Sequence, residues 1–459
     1  LMSSDGSFAA TSLTAAASTV IDFDFGDFEG SSNPFITVAG SLSPASSVTL
    51  NIGGINIATG QVALIRYDTL DGDGFPAFTL GTLPWRVAAG LVDNSAGKSI
   101  DLNVTASGQV LWNGDKSAAW DIDTTTNWLV GMIPTTYLEV AGSNDVVRFD
   151  DTADGPNYNV ALDTRVTPAL VTFSNDVITY SIGGSGAITG ATPVVKLGTG
   201  AVTMSTTNAY AGQTTIRGGT LMIGNNSALG STAGGTTVAN GGTLDVNGYT
   251  VGTEPVTASG IGVGGAGALV NTGGDQIDAF RYITMAGDTT VGGTGRFDLR
   301  GAGNSLDMGG FTLTKVGANL FGLVGTAITS PGRIDIVNGS MGLHTAFALG
   351  GTAANTVTVR TNASLDFYAN GGNKPWTLVM DDGQVTTSSG TSTWDGPVNI
   401  TGSTARFNIT GGHGFTVNGS IGESGGAKSV TKLGAGTLTL ETNNTFTGGT
   451  IINEGNVVI

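Results

Sequence analysis

The sequence predicts an all-β chain wound as a parallel solenoid, and three observations carry that prediction. Gly supplies 75 of the 459 residues while only 12% are charged, against roughly 25% in ordinary globular chains, which excludes coiled coils and most helical bundles. Apolar residues recur at a period of two over very short runs, as in Leu244/Val246, Phe297/Leu299, Ile334/Ile336 and Phe407/Ile409, so each run is a strand with one buried face. The chain also matches itself: Lys196–Ile223 laid on Lys432–Ile459 without a gap gives 12 identities in 28 positions. Strands this brief, separated by Gly and Asn, cannot make a sandwich face. They can form the sides of a coil that buries its inner surface only when another coil stacks on it.

Taken in chain order, residues 1–106 read as β-structure, the tail of a preceding unit, on alternations such as Ile21-Asp22-Phe23-Asp24-Phe25 and Ala63-Leu64-Ile65-Arg66-Tyr67. The start, Leu1-Met2-Ser3-Ser4, has neither a basic nor an apolar targeting region, and no apolar run approaches a membrane span, so neither signal nor anchor is expected in this segment. Residues 107–190 form a Trp-containing β module, a small β-domain in which Trp112, Trp120 and Trp128 each have Asp or Asn close by. Such indoles either present sugar-binding faces or pack a core; packing is preferred, since Trp buries a large area and has one N–H to satisfy.

Residues 191–459 form the solenoid. A third, degenerate copy of the internal match starts at Lys315-Val316-Gly317, so the three lysines stand 119 and 117 residues apart and define a super-repeat. Within it Ala228-Leu229-Gly230 recurs as Ala348-Leu349-Gly350, and Leu244-Asp245-Val246 as Leu365-Asp366-Phe367. Gly and Asn suit corners because they tolerate positive φ. Thr suits the outer face, where it bonds laterally to the next coil. The alternation predicts that Leu221, Ile223, Leu244, Val246, Leu438, Leu440 and Ile452 point inward.

The segment Lys432-Leu433-Gly434-Ala435-Gly436-Thr437-Leu438-Thr439-Leu440, followed by Asn443-Asn444-Thr445-Phe446-Thr447-Gly448-Gly449-Thr450, resembles the autotransporter-associated β-strand repeat. The copy at Lys196–Ile223 is similar, with Gln213 where the pattern prefers Gly, and the copy after Lys315 departs past Gly317. The stretch holding Trp112-Asn113-Gly114, Trp120-Asp121, Asn127-Trp128 and Val147-Arg148-Phe149-Asp150-Asp151 resembles the module that precedes such repeats in long bacterial surface proteins. The resemblance spans residues 107–459 and implies a right-handed parallel β-helix in a secreted or surface-displayed passenger, a family without common catalytic residues.

Charge and chemistry narrow the function further. A net charge of −17 repels nucleic acid and anionic lipid, and the absence of Cys removes disulfides and thiolate sites. His344 and His413 are the two histidines. Asp381-Asp382 followed by Gly412-His413-Gly414 has the flavour of a polygalacturonase-type β-helix hydrolase, in which two carboxylates serve inverting hydrolysis. The pattern lacks an Asn-Thr-Asp before the acidic pair and an Arg after Arg406, so these residues are expected to form no active site. Calcium is weighed at Asp71-Gly72-Asp73-Gly74, where Thr69 holds the first ligand position, and at Gly292-Gly293-Thr294-Gly295-Arg296-Phe297-Asp298, where the Asp falls one place late. Weak calcium binding at acidic corners is the most this supports. Gly262–Gly267 lacks the strand-to-helix setting of a phosphate loop, and the sequons at Asn399 and Asn408 are expected by chance.

The reading is a non-enzymatic extracellular structural solenoid at a bacterial cell surface, serving as fibre, spacer or adhesive layer, with no catalytic, cofactor or metal residues. A glycan-active β-helix enzyme and a sugar-binding surface module are the alternatives. Its expected partners are further copies of itself, head to tail, and surface glycans. At roughly 20 residues per coil and about 4.8 Å between coils, residues 191–459 are expected to span on the order of 60 Å.

Overall fold

The computed structural model describes residues 7–26, 35–54, 57–345, 349–369 and 371–459; the start at Leu1 to Ser4 and Ala348 of the internal match lie outside them. Among the described residues the regular structure is strand, apart from two single-turn 3-10 helices, Phe75–Ala77 and Val263–Gly265. The chain is a β-solenoid of about 13 turns. No helix among the described residues is long and apolar enough to cross a membrane. Two units are distinguished, Leu1–Thr172 and Phe173–Ile459.

In the first unit the N-terminal strands already stack as parallel coils. Phe8–Ala10, Ile36–Val38 and Gly60–Arg66 form one side, Leu13–Ala15, Ser41–Pro44 and Thr69–Leu70 a second, and Val20–Asp24, Val48–Gly53 and Phe78–Leu80 a third. The alternation at Ile21 to Phe25 places Phe23 and Phe25 in the core, edge-on to Phe35 at 5.8 and 4.9 Å. Two antiparallel strands, Val87–Asn94 and Ser99–Ser107, extend the first side. Beyond them Gln109–Trp112, Trp128–Val130 and Ile133–Thr135 make an antiparallel meander. Trp112, Trp120 and Trp128 are all buried and meet one another, Tyr137 and Phe149 with ring centroids 5.0 to 6.0 Å apart. Their polar neighbours tie the loops: Asn127 accepts from the Lys116 and Ser117 amides and donates to the Ala119 carbonyl. The indoles are a core, which overturns the sugar-binding alternative at these three positions.

The second unit has three sides, visited in a fixed order. Val194–Leu197, Thr214–Ile216 and Thr236–Val238 stack on the first. Ala201–Met204, Gly219–Ile223, Gly242–Asp245 and Leu269–Asn271 stack on the second, and Phe297–Leu299, Leu320–Val324, Gly339–His344 and Ala363–Tyr368 on the third. Because the ladders are parallel and in register, like sits on like: Val202, Leu221, Leu244, Leu269 and Val291 form one inward column. Outside, hydroxyls bridge the coils, as at Thr404 and Thr431, 2.9 Å, and Ser340 and Ser364, 2.6 Å.

Leu221, Ile223, Leu244, Val246, Leu438 and Leu440 are buried as expected. Ile452 is not; it is 54% exposed, because its strand Thr450–Ile452 pairs with Ser429–Leu433 on one side and no described residue stacks on the other. Leu244→Ala should cost roughly 2–5 kcal/mol, read from the urea midpoint, with hydrogen-exchange losses concentrated in adjacent coils.

One inward residue is a carboxylic acid. Glu254 is 3% exposed, and its hydrogen-bond donor is the Thr236 hydroxyl at 2.9 Å. Burial without a cation pushes its carboxyl up to about 7. Between the ordinary Glu value and that pH the folded state holds a proton that the unfolded state releases, so stability falls as pH rises through the window. Glu254→Gln should flatten that fall by on the order of 2–3 kcal/mol, measured as unfolding free energy at acidic against mildly alkaline pH.

Candidate functional site

The internal repeat is marked by a lysine, and the structure puts that lysine inside. Lys196, Lys315 and Lys432 are fully buried, with apolar residues above and below the latter two: Lys315 stacks between Val291 and Ile336, and Lys432 between Phe407 and Ile452. Each side chain turns to the corner that follows it. Lys315 Nζ donates to the carbonyls of Val316, Gly317 and Asn338 at 2.6, 3.0 and 3.3 Å. Lys432 does the same to Leu433, Gly434 and Glu454 at 2.7, 2.5 and 3.3 Å, and Lys196 to Leu197 and Gly198. For Lys315 and Lys432, two carbonyls come from the lysine's own corner and the third from the corner of the next coil. Burial lowers the affinity of the Lys315 amine for a proton, to about 7, and that of Lys432 in the same direction.

This geometry explains the spacing of the repeat. A corner leaves carbonyl oxygens with no strand partner, and those turned inward cost roughly 1–3 kcal/mol each if unsatisfied; the Lys315 and Lys432 amines, on their long stems, each gather three of them. The next coil must then pass close over the amine. It does so through Gly219 and Gly455, with φ of 63° and 73°, where an added Cβ would stand 2.7 and 2.8 Å from the Nζ of Lys196 and Lys432. Lys and Gly are thus one device, 23 residues apart in both copies.

The copies also climb the solenoid in a regular way. From Lys315 the column passes Ile336, Val359, Met380, Ile400 and Glu423 before Lys432 appears on the following side. Lys196 lies on the first side, Lys315 on the second and Lys432 on the third. Each super-repeat therefore advances five coils and one side.

The other residues singled out in the sequence are placed apart. Asp381 and Asp382 sit at the corner between Thr377–Asp381 and Gln384–Ser389, whereas His413 lies in the turn between Thr404–Ile409 and Gly414–Val417, a different corner. Asp382 Oδ1 accepts from the amides of Ser403 and Thr404 at 2.8 and 3.1 Å, Asp381 lies 3.8 Å from Arg360, and His413 Nδ1 accepts from the Gly390 amide at 3.0 Å. His344 is buried, with Nε2 2.9 Å from Asp366 Oδ2. At the second calcium-like stretch, the Asp298 carboxylate is gripped by Arg296 at 2.7 and 2.9 Å and by Arg300 at 3.1 Å, so its charge is already met. At the first, Asp71 accepts from the Ser41 hydroxyl at 2.5 Å. No cluster of three or more His, Asp or Glu able to hold a metal occurs among the described residues.

The second unit is thus a stacked parallel solenoid carrying a recurring corner lysine. The family model for the passenger-associated-transport-repeat matches residues 194–223 and 430–459, the two copies that hold Lys196 and Lys432. Over 328 residues the chain is 30% identical to the adhesin BmaC autotransporter of Brucella suis biovar 1 (strain 1330), covering 57% of this chain and 9% of that protein. Over 352 residues it is 26% identical to the probable autotransporter YfaL of Escherichia coli (strain K12), covering 69% of this chain and 27% of that one. The chain thus corresponds to under a third of the length of either relative. No solved structure gives a significant match. The chain is an autotransporter-passenger-like repeat protein.

Lys315→Met should lower stability by roughly 2–5 kcal/mol, since it strands three carbonyls while keeping the apolar stem. Gly219→Ala should cost a comparable amount through positive φ and the clash with Lys196. Denaturant unfolding of the two variants checks both, and a change under about 0.5 kcal/mol in Lys315→Met would refute the carbonyl-gathering role.

Proposed function

We propose that this chain is a cell-surface, non-enzymatic stretch of a bacterial passenger, an adhesive spacer held away from the cell by its solenoid. The observation that carries this reading is the corner lysine, recurring with the transport-repeat match on a ladder of coils that exposes polar side chains and buries apolar ones. A relative bearing the word adhesin in its name supports the adhesive part. In this reading Asp381, Asp382 and His413 are structural, and no cofactor is required. The natural neighbour of Thr450–Ile452 is a further coil of the same pattern, as Thr236–Val238 is for Thr214–Ile216 in the earlier copy: there Ile216 is buried, while Ile452 is half exposed. Such a coil, from the same polypeptide or a second copy, would make the head-to-tail contact.

Displayed on a non-adherent bacterium, the chain should increase attachment to epithelial cells or extracellular matrix over an empty display scaffold. No gain on any surface would sink the adhesive reading. The purified chain should release no reducing ends from polygalacturonate, and an activity lost in Asp381→Asn would establish the enzyme alternative instead.

A further inference from the structure

We propose that a hollow beside Trp85, in the first unit, binds a neutral pyranose sugar, which rests on the adhesive reading above and gives it a ligand class. Of the six tryptophans, Trp112, Trp120, Trp128, Trp376 and Trp394 are at most 1% exposed, whereas Trp85 is 42% exposed. Trp85 is thus the tryptophan that has surface available to a ligand. Trp85 opens onto a hollow of about 350 Å³, at the small end of ligand pockets and of the size of one or two sugar rings.

The ring is held as a platform. Its Nε1 donates to Asp145 Oδ1 at 2.9 Å. Asp145 is fully buried and fixed by Arg86 Nε at 2.7 Å, Arg86 Nη2 at 2.8 Å and the Leu138 amide at 2.7 Å. One edge of the indole is pinned while 42% of the residue stays exposed. The carboxylate that holds the ring is itself locked, by the charge-assisted bond from Arg86 Nη2 and by the Leu138 amide.

The walls fit a sugar in kind. Leu83 and Val87 supply apolar lining, and Ser107, Ser143 and Asn144 supply polar lining. The C–H face of a pyranose is apolar and stacks on an indole, while its hydroxyls both donate and accept, as Ser hydroxyls and Asn amides do. Asn144 spends its Nδ2 on the Thr167 carbonyl and hydroxyl at 2.5 and 3.0 Å, so its Oδ1 remains an acceptor. No lining residue is charged, and the one nearby ion pair, Arg86 with Asp145, is matched within itself. With a net charge of −17 on the chain, a sugar carboxylate would meet repulsion and no cation. The ligand is therefore neutral, a hexose or N-acetylhexosamine unit, and neither sialic nor uronic acid.

The test uses the whole chain with methyl β-D-galactopyranoside, methyl α-D-mannopyranoside and N-acetylglucosamine, against sodium glucuronate and sialyllactose. Binding is read by saturation-transfer NMR and by protection of tryptophan emission from iodide. At least one neutral sugar should bind and shield the quenchable indole. Trp85→Ala should weaken it about tenfold or more, and Trp85→Phe, which keeps an aromatic disc, by less. Ser107→Trp, which sets a bulky ring in the hollow across the strand pair from Val87 and leaves the Asp145 bond alone, should abolish binding even if Trp85→Ala fails to fold. Binding by none of the neutral sugars, equal binding by Ser107→Trp, or preference for the charged sugars would overturn the proposal; the last two would point to another site, or to another ligand class. Cell attachment measured in parallel separates the two readings. Attachment that survives a Ser107→Trp change that abolishes sugar binding upholds the site and overturns the sugar as the adhesive ligand, whereas sugar binding without attachment upholds the site and removes the adhesive role.

Discussion

The interaction on which this molecule depends is the parallel backbone ladder between successive coils. A coil of the second unit cannot satisfy its own strand amides and carbonyls, so it must lend them to the coils on either side. In-register pairing then imposes a rule on the sequence: whatever occupies a position is stacked directly on its counterpart in the next coil. Apolar residues therefore collect into inward columns, such as Val202 through Val291, and hydroxyls into outward ones. The low charge content follows from the same rule, since like charges stacked at the strand spacing would repel along the whole column.

Ladders satisfy strands but leave corners. Here the chain spends its polar interior residues: the repeat lysines, and asparagines that act in the same manner. Asn271 donates to the carbonyls of Gly274 and Arg296, both at 2.8 Å, and accepts from Gly248 and Gly273. Asn208 joins Ile188 and Ala228 across neighbouring coils. These groups bring no opposite charge into the interior. They are matched to backbone oxygen and nitrogen, which is why they can be buried in a narrow core without acidic partners.

How much was legible in the sequence depends on which residues spoke by pattern. The period of two, the brevity of the runs and the repeated lysine made the solenoid and its repeat readable, and six of seven inward residues followed. Ile452 did not, because alternation reports which way a side chain points and not whether another coil covers it. The fate of the lysines was hidden for a different reason: a Lys in a strand reads as solvent-facing, and only its place in phase with Leu and Val neighbours, as at Val194 and Lys196, signals otherwise. Trp85 was silent too. It belongs to no pattern, while Trp112, Trp120 and Trp128, whose Asp and Asn neighbours fit a sugar-binding face, turn out to be interior. Glu254 could have been flagged by its phase with Val256 and Ala258, two buried residues of the same strand.

The step of five coils and one side per super-repeat has a geometric consequence. Had each copy occupied a whole number of coils, any loop inserted at its corner would project along a single line down the second unit. Because the three lysines fall on three different sides, equivalent corners are instead rotated by about a third of a turn each time, like leaves set spirally on a stem. Duplication of this unit therefore multiplies whatever a corner carries while turning it to a fresh compass bearing, so that a repeated feature meets its surroundings from several directions and neighbouring copies do not shadow one another.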